Sequence, residues 1–315
     1  MGGSMKNTHS NCKEFVQVVE ELLARRRAEP HAPDRWQDFT RGELIDLVYG
    51  GYHDLIHGRI INPPKRSIVM EIAEYLLATS SEINRLLVAA HLAPALTLLE
   101  GAALQAALDI AKRVVSYWPI PSYIATRDWS IHGWNRTLLT LWDVTDQELK
   151  AIPSKKRHIL HLIFDPELPI YHRLFHSGDL TEDIWTYTAR LNVAAFKQSN
   201  LLCEHDEWYK DRVNSLMSLP RFAELWQEVK IDTGILLDPP EGRPFPTYST
   251  EIATHGLKVW VLGLQVSVGN FDYPLLISYL PYRDADQQSF LELGLPTPDN
   301  GWGTERKLMK EQGTF

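Results

Sequence analysis

Between Pro121 and Val144 the chain changes its period, and that change limits the folds open to it. Ahead of this stretch, apolar residues recur at three- and four-residue spacing. Inside it, Tyr123 to Ala125 and Ser130 to Trp134 form two short β-prone runs split by the polar Thr126-Arg127-Asp128. Two such runs around a polar turn predict a hairpin. Asn135 then stands where a side-chain oxygen caps a helix, and Leu138, Leu139, Leu141 and Trp142 supply the apolar stripe of that helix. Spacing alone assigns these large side chains to a core. Helices first and a sheet afterwards place the chain in the α+β class.

With 315 residues, 44% of them hydrophobic, the chain can bury a sizeable core. At about 100 to 200 residues per domain it is expected to hold two domains. Cys12 and Cys203 are the only cysteines and have no CxxC partner, so neither a disulfide framework nor a cysteine-rich zinc site is expected, and a reducing cytoplasm fits. The polar N-terminal residues look nothing like a signal peptide. No apolar run reaches the roughly 18 residues of a membrane span, so membrane insertion is not expected. The net charge of -8 speaks against wholesale phosphate binding, but residues 1–92 carry 11 Lys plus Arg against 12 Asp plus Glu, leaving 21 against 28 in the remainder. A near-neutral first part can still present a basic face.

In that first part Phe15, Val18, Val19, Leu22 and Leu23 predict a helix ending in Arg25-Arg26-Arg27, which suit either the negative end of the helix dipole or phosphate contact. Thr40-Arg-Gly-Glu43 is a capping box opening a helix over Leu44 to Val48. Gly50-Gly51 stop it, and a second short helix, Tyr52 to His57, ends at Gly58-Arg59. Two helices joined by a Gly turn are a helix-turn-helix pattern. A second capping box, Thr79 to Glu82, starts a later helix, and Leu96 to Tyr117 reads as one long helix with apolar residues on more than one face. Such a helix suits either packing between two halves or a dimer interface.

After the hairpin, helical stretches are expected at Ile159 to Phe164, Trp185 to Cys203, Glu207 to Met217 and Pro220 to Val229. Strands are expected at Tyr248 to Ile252, Val259 to Ser267 and Pro274 to Leu280, then a helix over Asp284 to Leu293. In the second of these strands one face carries Trp260, Leu262, Leu264 and Val266 and the other Val259, Val261, Gly263 and Gln265. Both faces are largely apolar. Only one buried face is needed to fold, so the second is expected either under the linker helix or lining an apolar cavity, and the two readings are compatible if one face serves each.

Several stretches carry a family resemblance. Gly58-Arg59-x-x-Asn62-Pro63, Ile72-Ala73-x-x-Leu76 and Thr79-x-x-Glu82 with Leu86-Leu87 are similar to the XRE-type helix-turn-helix, whose end Leu92-Ala93-Pro94-Ala95 resembles. Pro121-x-Tyr123-Ile124, then Arg127-x-Trp129-Ser130-Ile131-x-x-Trp134-Asn135, and later Ser218-x-Pro220-x-Phe222 with Leu225-Trp226, resemble the ligand-binding half of MmyB-like transcription regulators. These are a bacterial family joining such a helix-turn-helix to a PAS-like domain. The resemblance implies a helix-turn-helix domain at 1–95, a linker helix at 96–117, a PAS-like domain with a five-stranded antiparallel sheet and covering helices at 118–295, and a poorly ordered tail at 296–315. The chain is shorter than the family between Leu44 and Leu55, and its recognition helix is poor in cations.

Arg41, Tyr52, His53, His57, Arg59, Lys65 and Arg66 are the expected DNA contacts, as base readers or phosphate partners. Tyr123, Trp134, Leu138, Trp142, Phe164, Trp185, Phe196, Trp260, Leu262 and Tyr279 are expected to enclose the ligand. The resulting expectation is a dimeric, ligand-responsive transcription regulator that binds duplex DNA and a fatty acid or acyl compound, with no other cofactor and no catalysis. Arg127, His132 or Arg190 would meet a charged head group. An acyl carrier or enzyme whose helical first domain serves only for dimerisation is the alternative. His158, His161 and Asp165, and likewise Cys203 to Glu207, could be drawn as metal sites but read as solvated faces.

Overall fold

The computed structural model describes residues 11–29, 37–95, 99–175, 182–230, 249–268 and 271–297. The expected tail beyond 297 and the strand start at Tyr248 lie outside these. The chain forms two units, one of Met1–Thr97 with Leu202–Lys210 and one of Leu98–Leu201 with Asp211–Phe315.

The first unit is helical: α1 (Asn11–Ala28), α2 (Arg41–Glu43, running into a wider π-helical turn at Leu44–Val48), α3 (Tyr52–Ile56), α4 (Arg66–Tyr75) and α5 (Ser80–Ala89). Both expected capping boxes form. The Thr40 hydroxyl accepts from Glu43 N at 3.1 Å, and the Thr79 hydroxyl accepts from Glu82 N at 3.3 Å. Phe15, Leu22, Phe39, Leu44, Ile72, Leu76 and Leu86 make a core that water does not reach. Of the three arginines at the end of α1, Arg26 is buried. Its Nε donates to Leu76 O at 2.8 Å and its Nη2 pairs with Glu82, so it satisfies a carbonyl at the end of α4 and ties α1 to the start of α5. This is a structural role, with the guanidinium removed from any phosphate.

The second unit opens with α6 (Gly101–Tyr117), β1 (Ser122–Ala125), β2 (Ile131–Trp134), α7 (Arg136–Leu141), α8 (Asp146–Ala151), α9 (Ile159–Phe164), α10 (Pro169–Phe175) and α11 (Glu182–Ser199). It continues with α12 (Glu207–Met217), whose first turn belongs to the first unit, then α13 (Phe222–Glu228), β3 (Ser249–Thr254), β4 (Leu257–Ser267), β5 (Leu275–Pro281) and α14 (Asp284–Glu292). The strands form one sheet in the order β2-β1-β5-β4-β3, antiparallel at every pairing.

Asn135 holds the start of this unit together. Its Oδ1 accepts from Leu138 N at 2.9 Å, capping α7, and from Ser122 N at 3.0 Å, while its Nδ2 donates to Trp118 O and Ile120 O. A buried amide with four partners fixes the hairpin against the end of α6. Alternation then divides the sheet. Ile124 and Leu276 face α6, where Leu108, Ala111 and Val115 cover them. Tyr123, Ile277 and their odd-numbered neighbours point the other way, toward α9 and α11.

Candidate ligand pocket and N-terminal cations

Against that odd-numbered face lies a partly open cavity of about 140 Å³. The sheet contributes Tyr123 and Ala125 from β1, Gly263 and Gln265 from β4, and Leu275, Ile277 and Tyr279 from β5. The register explains the grouping, since Tyr123 pairs with Ile277, and Gly263 with Tyr279. Opposite stand Ile159, Leu162 and Ile163 of α9 and Thr188, Leu191, Asn192, Ala195 and Ser199 of α11, with Trp129, Trp142, Leu174 and Tyr273 completing the described wall. Tyr123, Trp142 and Tyr279 form an aromatic group with ring centroids 5.6 to 6.4 Å apart. The two phenols share a hydrogen bond, and burial pushes Tyr123 well up and Tyr279 up to about 12.

Of the ten residues expected to enclose a ligand, these three line the described wall. Trp260 and Leu262 occupy the even-numbered positions of β4 and point to the opposite face from Gly263 and Gln265. Phe164 and Trp185 pack edge to face at 5.5 Å beside Phe222, and the Trp185 indole donates to Ile163 O. Phe196 is buried against Trp129 and His158, and Leu138 is fully buried on the inner side of α7. Trp134 donates to Asp146 at 3.0 Å near the surface. Those seven side chains are outside the described lining. The small or polar wall residues Ala125, Asn192, Ala195, Ser199, Gly263 and Gln265 went unrecognised; strand parity was the signal that could have found three of them.

The sequence expectation of solvated faces fails at two places. His158 and His161 are buried, as are Asp165, Cys203 and Asp206. His158 Nδ1 accepts from Leu160 N at 3.1 Å, capping α9, its Nε2 makes no close hydrogen bond, and His161 Nδ1 stands 3.8 Å from the Asp165 carboxylate. Burial, then the nearby Arg212 charge, pushes both rings down, His161 to about 4. Burial alone would raise the neighbouring Asp128, but hydrogen bonds from Ser130 and Thr126 and the charge of Arg212 outweigh it and hold that carboxyl at about 2. Among the described residues no group of three or more His, Cys, Asp or Glu is placed to hold a metal ion.

In the first unit the expected DNA contacts divide by partner. Tyr52 is fully buried and its hydroxyl donates to Glu20 at 3.0 Å, so it belongs to the core. Arg41 pairs with the same carboxylate at 2.7 Å, and Arg59 pairs with Asp54 at 3.0 Å. Arg66 donates to Ala93 O at 2.8 Å. His53 and His57 sit one turn apart at the exposed side of α3, their rings 4.5 Å apart, and the exposed Lys65 precedes α4 without capping it. Two of these cations, Arg41 and Arg59, are thus answered by carboxylates of the same unit.

Residues 109–234 match the family model of the MmyB-like transcription regulator ligand binding domain. This segment is similar to the ligand-binding half of MmyB-like regulators. The match covers β1, β2 and the helices through α13, hence the helical wall of the cavity and Tyr123, Ala125, Trp129 and Trp142. The MmyB-like segment ends before β4 and β5, which supply the rest of the wall. No curated protein matches the chain. No helix among the described residues is long and apolar enough to cross a membrane.

Proposed function

We propose that the chain is a ligand-responsive transcription regulator whose PAS-like second part binds a largely apolar acyl compound and whose helix-turn-helix, around α2 and α3, binds duplex DNA as a homodimer. The observation that carries this reading is the cavity between the odd-numbered sheet face and α9 and α11, walled mainly by apolar side chains inside an MmyB-like domain. Its volume is close to that of a dry engineered cavity of roughly 150 Å³ that admits benzene. The enclosed part therefore suits about six carbons of a chain, and a longer fatty acyl tail would leave through the open side.

The sheet provides a route from ligand to linker helix. In β1 and β5 the residues that touch the cavity, Tyr123 and Ile277, alternate with Ile124 and Leu276, which α6 covers. A ligand that binds one arrangement of these two strands better than another shifts the packing of α6 by that difference in affinity. Ile110, Val114 and Tyr117 lie exposed at helical spacing on α6, an apolar stripe suited to a second copy, and paired DNA half-sites call for a dimer. The described wall holds hydroxyls and amides but no Asp, Glu, His or Cys, which favours binding over acyl chemistry.

Solvent extraction and mass spectrometry of natively purified protein test this reading. An acyl compound should copurify with wild type and be lost from Ala195→Trp, which fills the cavity from α11. Finding no small molecule, together with no change in melting temperature on adding acyl compounds, would contradict it.

A further inference from the structure

The polar groups in the cavity wall are all of one electrostatic kind. Asn192 donates its Nδ2 to Thr188 O at 2.8 Å, which leaves its Oδ1 with no hydrogen bond among the described residues. Gln265 also lines the cavity but is exposed on β4, where water serves its amide. Tyr273 shares hydrogen bonds with Ser199 and Trp129, and Tyr123 with Tyr279. Amides, hydroxyls and an indole are neutral donors and acceptors. Among the described lining residues there is no Lys, Arg or His.

The three cations that a charged head might seek are placed elsewhere. Arg190 is paired with Glu228, and the His132 ring is hydrogen-bonded to the Thr126 hydroxyl at 2.9 Å. Arg127 is near enough for its charge to act on Tyr273, and its Nε is buried without a partner, but it is outside the described lining. An ionised carboxylate taken into this wall would lose its hydration and gain only dipoles in return, whereas a neutral head loses far less and can use the same dipoles fully.

We propose that the acyl ligand of this cavity carries a neutral hydrogen-bonding head, such as a primary amide or an alcohol, and not an ionised carboxylate; this rests on the acyl reading above. The Asn192 amide is its partner, since it presents a free acceptor and a second N–H donor.

The test compares octanamide, 1-octanol and octanoate, three heads on one chain length, by calorimetric titration of the full-length protein. At a pH of about 7.5, where a carboxyl is ionised, octanamide and octanol should each bind at least about tenfold tighter than octanoate. Octanoate should gain affinity as the pH falls toward about 5 and it takes up a proton. Asn192→Leu should weaken octanamide several-fold while the ligand-free protein keeps its melting temperature. A preference for the neutral heads smaller than tenfold overturns the proposal and leaves the acyl reading standing. Tighter binding of octanoate that is lost in Arg127→Gln would locate the anion site that replaces it. If none of the three binds to protein that melts cooperatively, the acyl reading fails, and the neutral head fails with it.

Discussion

Asp206 and Ser80 are 126 residues apart in the chain and meet in the core of the first unit, where the carboxylate accepts from Ser80 N at 2.7 Å and from the Ser80 hydroxyl at 2.6 Å. Ser80 opens α5, so Asp206 satisfies a backbone N–H at that helix N-terminus, and the Trp208 indole donates to the same carboxylate at 2.9 Å. Leu202–Lys210, a piece of the MmyB-like segment, is thereby built into the N-terminal bundle.

Asp206→Ala should therefore destabilise the first unit by about 2 to 3 kcal/mol, the scale of buried hydrogen bonds to a charged group. Hydrogen exchange at the amides of α5 reads this directly. Protection unchanged from wild type would mean the helix start does not depend on this carboxylate.

Arg59 spends its charge on Asp54, 3.0 Å away, and both side chains are well exposed. Exposed pairs hold each other weakly, so a phosphate can compete for the guanidinium. Asp54→Asn should strengthen binding to duplex DNA of any sequence, and Arg59→Ala should weaken it and flatten the dependence of affinity on salt. Equal affinities for both variants and wild type in a salt titration would remove α3 from the DNA surface.

Acid should destabilise the second unit before its carboxylates protonate. His158 and His161 have folded pKa values below their ordinary 6.5, so the unfolded chain binds more protons between about 6.5 and about 4 and stability falls as pH falls through that window. Arg212 and Lys156 oppose a charge on these rings, whereas Asp128 and Asp165 favour one without overcoming burial. Asp128, held at about 2, contributes its own loss only at lower pH. Melting temperature should drop between about pH 6.5 and pH 4 in wild type and drop less in His161→Gln. Parallel curves for the two proteins would contradict a buried neutral ring.

Much of this architecture was legible because it is local. Thr40 with Glu43, Thr79 with Glu82, and Asn135 announce helix starts through side chains that reach only three residues ahead, and each cap is present. Thr145 with Glu148 is the same pattern, overlooked in the sequence, and it opens α8. Which face of β4 meets the cavity was not legible, since Trp260 and Leu262 are as apolar as Val259 and Val261, and hydrophobicity cannot choose between two apolar faces, of which the even-numbered one leaves Leu264 and Val266 exposed. Nor was the burial of His158, His161 and Asp206, because polar residues read as solvent-facing until distant partners supply their surroundings.

Ala195 lies on the cavity-facing side of α11 with only a methyl group. Enlarging it to Trp should abolish acyl binding while α6 keeps its packing on Ile124 and Leu276, so the melting temperature without ligand should change little. A variant that still binds octanamide as tightly as wild type would place the ligand elsewhere.

The central claim, that a ligand in the second unit sets the DNA affinity of the first, is tested most directly by selecting duplexes from a random pool with the full-length protein. The enriched sequence is then titrated with salt in the presence and absence of the small molecule extracted from native protein. The account predicts an enriched sequence whose affinity falls steeply with salt and shifts by about fivefold or more, in either direction, when the ligand saturates the cavity. No enriched sequence, or an affinity identical with and without saturating ligand, would contradict it.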